Sequence, residues 1–416
     1  MRLHRRRLAP WVFGLLFPCA LSAQRPLTWD EIRDRFLKNN PSLLAGQLLT
    51  NESQADEVTA GLRPNPTFSS IDDQFLFFNP DQFKPFSTSQ WTQSVSQLIE
   101  RRRKRPLRVQ SARLATSIAG TDQLDLQRQM LFDLRDSFVK ILQAKALLGV
   151  TRENLDYYDK ILDVNRLRFK AGDIAQVDLT RLELQRAQFE SDLVNAGVTL
   201  RTSKISLLQM VNERRPVDEF DVNGPFDYTP LNMTLEEARQ AALDTRPDLR
   251  SAVTAVAKAQ ADHKLAIANG STDPDLYFEY QRAGTDNTMG FGVTIPIRIF
   301  DRNQGEKAKA QIEITRAERS RQAVLSGILR DVDSAYATLV SVRDLVIPYR
   351  DRYIPAARDI RETVSFSYSH GGASLLDFLD AQKSYRDTEL AFQGLVANYL
   401  SALNQLSQSV GKEILP

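Results

Sequence analysis

Cysteine is all but missing from these 416 residues: there is one, Cys19. Histidine is nearly as scarce, with His4, His263 and His370, and methionine is not clustered. Neither a disulfide framework nor a thiolate or imidazole metal set can be assembled from that inventory, so no metal ligand and no cofactor is assigned. No glycine-rich phosphate loop and no histidine in a base arrangement occurs, which removes the common enzyme classes. Long apolar runs are absent too, apart from Leu8 to Leu21. That run follows a basic head, Arg2 to Arg7, and ends at Ser22-Ala23, which predicts a signal peptide over 1–23 rather than a membrane span. Pro18 stands where a lipid-attachment cysteine wants a small residue, so Cys19 is a poor lipidation site. A strong charge of one sign is lacking as well. Without the four arginines of the leader the formal charge passes from +2 to −2 (2 − 4), which excludes a nucleic-acid partner on charge.

What the chain does have, it has twice. Thr28-Trp-Asp-Glu-Ile-Arg, continuing to Asn40-Pro-Ser-Leu43, returns 206 positions later as Thr234-Leu-Glu-Glu-Ala-Arg, continuing to Arg246-Pro-Asp-Leu249. Phe169-Lys-Ala-Gly172 and Val177-Asp178-Leu179 return 199 positions later as Tyr368-Ser-His370-Gly371 and Leu376-Asp377-Phe378. Two echoes at nearly one offset predict a duplicated unit. We divide the chain after the leader into repeats 24–223 and 224–416.

Apolar residues at three-four spacing dominate both repeats, as in Leu131, Leu134, Phe138 and Ile141, or Leu325, Ile328, Val332, Ala335 and Leu339. Such seams belong to helices packed lengthwise. Helices are expected at about 28–62, 105–212, 234–269 and 304–411, with glycine-bearing tips at Gly172 and Gly371 folding each long run back into a hairpin. Gly149 and its counterpart Pro348 predict a break in each long helix at one height. Two regions alternate instead. Strands are expected at about 67–78 and 89–99, and at about 275–282 and 289–299, each pair about long enough to cross a bilayer when tilted. Four strands cannot close a barrel, and lipid does not tolerate an open sheet edge. The expectation is an oligomer that shares one barrel.

These features resemble the TolC family of outer-membrane efflux channels, and most of all its branch serving heavy-metal pumps. The resemblance rests on Gly61-Leu-Arg-Pro-Asn-Pro66, on Ile295-Pro-Ile-Arg-Ile-Phe-Asp-Arg-Asn-Gln-Gly305 and on Gly371 with Leu376-Asp377-Phe-Leu-Asp380-Ala-Gln. It implies a mainly α fold with a small transmembrane β part: a homotrimer with a twelve-strand outer-membrane barrel and a periplasmic α-helical barrel. The implied partners are a periplasmic adaptor, an inner-membrane RND-type transporter and outer-membrane lipid. The implied function is a passive exit duct for heavy-metal cations or drugs. The alternative is a periplasmic coiled-coil scaffold or adaptor without a pore, against which the alternating strands speak.

By the same resemblance Asp377 and Asp380 match two aspartates that line the closed periplasmic entrance of the family. Three residues apart on a helix, they share a face, and threefold symmetry would stack them as two acidic rings. The first repeat departs from this, with Asp178 but Arg181, and an arginine that ties neighbouring tips in the family matches Ala373. Gly172, Asp178, Arg181, His370 and Gly371 are the expected tip residues that meet the adaptor. Arg101 to Arg105 reads as a basic collar near lipid headgroups or as a tube lining, and Trp91 with Phe75, Phe77, Phe78, Phe83 and Phe86 as an aromatic girdle.

Overall fold

The structure, a computed structural model, describes residues 25–75 and 88–414. The leader with Cys19, and Phe77, Phe78, Phe83 and Phe86 of the expected girdle, lie outside those residues. In the first repeat α1 (Trp29–Asn39) and α2 (Pro41–Gly61) lead to strands β1 (Thr67–Asp73) and β2 (Gln90–Leu98), followed by α3 (Lys104–Ala171) and α4 (Gln176–Val211). The second repeat runs α5 (Leu235–Thr245), α6 (Pro247–Asn269), β3 (Asp275–Ala283), β4 (Asp286–Thr294), α7 (Gln304–Pro348), α8 (Ile354–Ser369) and α9 (Leu375–Val410).

The first echo is a helix start. Thr28 and Thr234 each precede a Glu three residues on, and each backbone N–H is bonded by that carboxylate, Glu31 at 3.0 Å and Glu237 at 2.8 Å. This reciprocal capping satisfies otherwise orphaned donors and holds both carboxyls below their ordinary range. The helices expected at 28–62 and 234–269 are each two helices, broken at Asn40-Pro41 and Arg246-Pro247. Proline disfavours helical backbone in the residue before it, and both pre-proline residues are extended. Asn40 then caps α2 through Ser42 and Leu43, while Arg246, buried, is paired with Asp248 and Asp331.

Strand limits also differ from expectation. β1 ends at Asp73, where the reading ran to 78, and β4 spans 286–294, where it ran 289–299. Pro296, which has no ladder donor, follows the end of β4. The expected loop from Ala283 is a two-residue turn with Gly284 at φ +60° in its first position, which brings Asp286 into register with Ala283.

Gly149 does not break its helix; α3 runs through it for 68 residues. Its counterpart does: Pro348 ends α7, a π turn occupies Tyr349–Tyr353, and α8 begins with Pro355 in its first turn. Glycine costs a helix about 1 kcal/mol but keeps its N–H, whereas proline removes a bond and crowds the preceding turn.

Three apolar clusters hold these elements. One joins Ile32 and Phe36 of α1 to Leu134, Phe138 and Ile141 of α3 and Leu207 and Val211 of α4. Its counterpart joins Ala238 and Ala242 of α5 to Val332, Ala335 and Leu339 of α7 and Tyr399, Leu403 and Leu406 of α9. The third unites the far ends of both hairpins through Tyr158, Leu162, Leu182, Phe189, Tyr368 and Phe378. Among the described residues no helix is long and apolar enough to cross a membrane.

Candidate functional site: the sheet faces and the helical tips

All four strands form one antiparallel sheet in the order β1-β2-β3-β4, so β2 and β3 join the two repeats and β1 and β4 are its edges. Register gathers most of its apolar side chains on one face, which Ser70, Asp72, Gln93 and Arg282 share, while Ile71 lies on the other. Phe68, Val95, Phe278 and Phe291 stand opposite one another in a row, and Trp91, Leu276, Tyr280, Met289 and Val293 share their face. Apart from half-buried Tyr280 these side chains are exposed, Phe291 to 92% and Met289 to 76%. An exposed apolar row of this kind needs a cover, and a bilayer supplies one. The opposite face is largely polar: Ser69, Ser94 and Glu279 lie in register with Gly290, and Ser96 and Tyr277 with Gly292. Those glycines are there for space, since a Cβ on Gly290 would meet Glu279 Oε1 at 3.0 Å and one on Gly292 would collide with the Tyr277 ring.

At the root of the sheet the basic run is only partly a collar. Lys104 is buried, its Nζ bonded to Asp273 at 2.5 Å and to the Ser271 carbonyl. Arg102 and Arg103 adopt positive φ to turn the chain from β2 into α3, as Asn303 does before α7.

The two glycine turns repeat the same backbone bonds. Gly172 at φ +84° and Gly371 at φ +79° occupy left-handed backbone. The N–H of Asp173 bonds the Arg168 carbonyl at 2.9 Å, and that of Gly372 the Ser367 carbonyl at 2.8 Å. This is the glycine C-cap expected of both. Asp178, Asp377, Arg181 and Asp380 all lie in the first turns of the returning helices α4 and α9. The pairs differ in what they do. Arg181 reaches Asp178 at 3.9 Å on an exposed surface. Asp377 is engaged: its Oδ2 accepts from the Ser374 hydroxyl at 2.7 Å and the Ser374 N–H at 3.1 Å, which keeps its carboxyl below the usual range. Asp380 is exposed and makes no hydrogen bond or ion pair among the described residues. His370 packs on Phe366 with centroids 4.1 Å apart, and its Nδ1 lies 2.8 Å from the Phe366 carbonyl. A carbonyl only accepts, so Nδ1 carries the proton.

Behind the tips lies an aromatic set of which the sequence marked Tyr368 and Phe378 as members of the repeat but not their partners. Tyr368 stacks on Phe378 at 5.0 Å and donates to buried Asn165 at 2.8 Å, while Tyr158 packs on Phe189 at 4.9 Å. Burial pushes the Tyr158 hydroxyl well above its ordinary pKa. Higher up, Arg361 is held between the rings of Tyr157 and Tyr385 at 4.6 and 3.8 Å. Nothing local in the sequence announces that pairing of Arg361 with two tyrosines. Among the described residues no cluster could hold a metal ion.

An antiparallel sheet with one largely apolar and one largely polar face, carried on long paired helices, is the build of an outer-membrane efflux channel. Residues 238–412 match the family model "Outer membrane efflux protein". It is 22% identical over 398 residues to the cobalt-zinc-cadmium resistance protein CzcC of Cupriavidus metallidurans, covering 94% of this chain and 91% of that protein. Nodulation protein T of Rhizobium leguminosarum bv. viciae is 23% identical over 412 residues, covering 91% and 81%. Among solved structures, CusC superposes with a TM-score of 0.78 at 17% identity, covering 92% of each chain, and OprN with 0.77 at 15%, covering 93% and 91%. The chain is thus an efflux channel rather than an enzyme, set in the outer membrane with a helical periplasmic part.

Proposed function

We propose that three copies of this chain close one twelve-strand barrel, each β4 edge pairing with the β1 edge of its neighbour, and that the helices continue it as a coaxial tube. The observation that carries this is the sheet itself: a largely apolar face on one side, a largely polar face on the other, and, among the described residues, both edges without a partner strand. Unpaired backbone groups cost several kcal/mol each in lipid, so the edges must meet something. The duct serves as the outer component of a tripartite pump, receiving cargo through a periplasmic adaptor and an inner-membrane RND-type transporter. A pore-free scaffold has no use for such a sheet. The decisive experiment is chemical crosslinking in isolated outer membranes, followed by reconstitution in planar bilayers. A trimer with stepwise conductance supports the reading; a soluble periplasmic monomer overturns it.

For the cargo, divalent metal cations fit best. Support comes from the likeness to CzcC and from the polar sheet face, which carries Asp73, Asp275, Glu279 and Asp286 and no lysine or arginine within the strands. Asp380 with Asp377 forms the gate rings in this reading, and Gly172, Asp178, Arg181, His370 and Gly371 form the adaptor contact. Block by a multivalent cation such as hexamminecobalt tests the rings: it should weaken when both aspartates become alanine, and unchanged block removes them from the constriction.

A further inference from the structure

A cavity of about 330 Å³ opens where the repeats meet, between the start of α1, the middle of α3, the α5–α6 joint and the end of α9. Trp29, Leu131, Phe132 and Pro247 give it an apolar body. Arg33, Arg128, Arg135, Arg250 and Lys412 give it a cationic rim, Arg128 being already paired with Asp125, and among the lining residues Glu413 is the carboxylate that faces them. Glu413 is gripped as a ligand would be. Trp29 Nε1 donates to it at 2.8 Å, Arg33 approaches at 3.5 Å, and Arg135, stacked on the Trp29 ring at 4.5 Å, bonds it more closely still. Two cations are left over. Arg250 donates only to the carbonyls of Asp244 and Thr245, and Lys412 pairs with no carboxylate among the described residues.

We propose that this cavity binds an organic anion, a carboxylate on an aromatic or short aliphatic frame, and that Glu413 is its tethered competitor. The volume falls at the lower end of the range for small-molecule sites, where an apolar body with a few placed polar groups is the usual construction. Guanidinium–carboxylate bonds are charge-assisted and directional, and Glu413 already demonstrates the geometry with the chain's own side chain. An external carboxylate would gain Arg250 and Lys412 in addition. Bound there, it would bridge α1 of the first repeat and the α5–α6 joint of the second. The site depends on no part of the transport reading, since its walls come from one chain.

Trp29 supplies the readout. From Arg25 onward the tryptophans are Trp29 and Trp91, so a Trp91→Phe channel reports the cavity alone. Titrating the solubilised full channel with 4-iodobenzoate should quench Trp29 saturably, while neutral 4-iodobenzyl alcohol should quench only in proportion to its concentration. Converting both Arg250→Gln and Lys412→Gln, two exposed positions, should raise the midpoint about tenfold, the loss of roughly one charge-assisted contact. Glu413→Gln should lower it, an outcome that damage to the fold would not produce. Linear quenching by both probes overturns the site. A Glu413→Gln midpoint equal to or above the wild-type value overturns the competitor assignment.

Discussion

At the scale of single residues, the two aspartates three positions apart at the second tip are not equivalent. Asp377 spends one carboxylate oxygen on the start of α9, and Asp380 spends none. The pattern Ser374-x-x-Asp377 is legible as a capping box, so the division of labour could have been read from the sequence; the orientation of a gate ring could not. Ser374→Ala should therefore cost about 1 kcal/mol in the unfolding of the tip and leave cation block intact. Asp380→Ala should weaken block and leave stability intact; if the two variants behave alike in calorimetry and bilayer recording, the distinction fails. Glu389 offers a pH test. Burial raises its carboxyl above the ordinary value, with Glu153 adding to the shift and the Tyr385 hydroxyl, Arg358 and Arg361 opposing it. A carboxyl raised in the folded state binds more protons there than in the unfolded chain. Its contribution to stability is thus complete below 4.5 and is lost as pH climbs through the folded value. Glu389→Gln keeps the oxygen that Tyr385 bonds, so its melting temperature relative to wild type should rise between pH 4 and pH 7. A difference that stays flat across that range would show Glu389 to be unshifted.

At the scale of elements, the repeats agree in their strands and tips and part in their long helices. α3 passes Gly149 without interruption, while Pro348 and Pro355 bracket a π turn. The expectation of matching breaks treated glycine and proline as one signal. They are not, because only proline deletes a donor. Strand existence, helix pairing and the glycine tips were readable because each has a local cause: period two, period three to four, or left-handed backbone. The joints at Pro41 and Pro247 were readable in principle from the proline and were overrun by the apolar periodicity on either side. Arg361 between two tyrosines, or Lys104 on Asp273, depends on segments brought together from far along the chain, for which one sequence carries no local sign. The asymmetry has a measurable consequence. Backbone amides across Tyr349–Tyr353 should exchange with deuterium faster than those of residues 150–154 of α3, since a loosened ladder opens locally at lower cost. Equal protection at both heights would mean that the π turn is as firm as the straight helix.

At the scale of the whole molecule, what is unfinished in one chain lies along its two sides. Among the described residues β1 and β4 have free edges, and α2, which flanks α3 on one side, bears Leu44, Leu48 and Val58 exposed along it. Each of these would contribute roughly 2 kcal/mol on burial, a term counted three times around a closed ring. On the far side of the same layer α7 continues from β4, packed on α6, and presents Ile312 exposed to 69%. The order α2-α3-α6-α7 copies the strand order above it, so closing the barrel would bring α7 of one copy against α2 of the next. Val58→Glu, placed near the sheet, should then sharply lower the yield of crosslinked trimer in the outer membrane. The mature chain should accumulate in the periplasm as monomer, because a charge at each of three seams opposes closure and an unclosed sheet cannot remain in lipid. Glu57→Gln, one position away on a side chain that already faces Arg113 at 3.8 Å, serves as the control and should assemble normally. If Val58→Glu assembles as well as Glu57→Gln does, α2 is not at a seam, and the closing contact must lie in the strands alone.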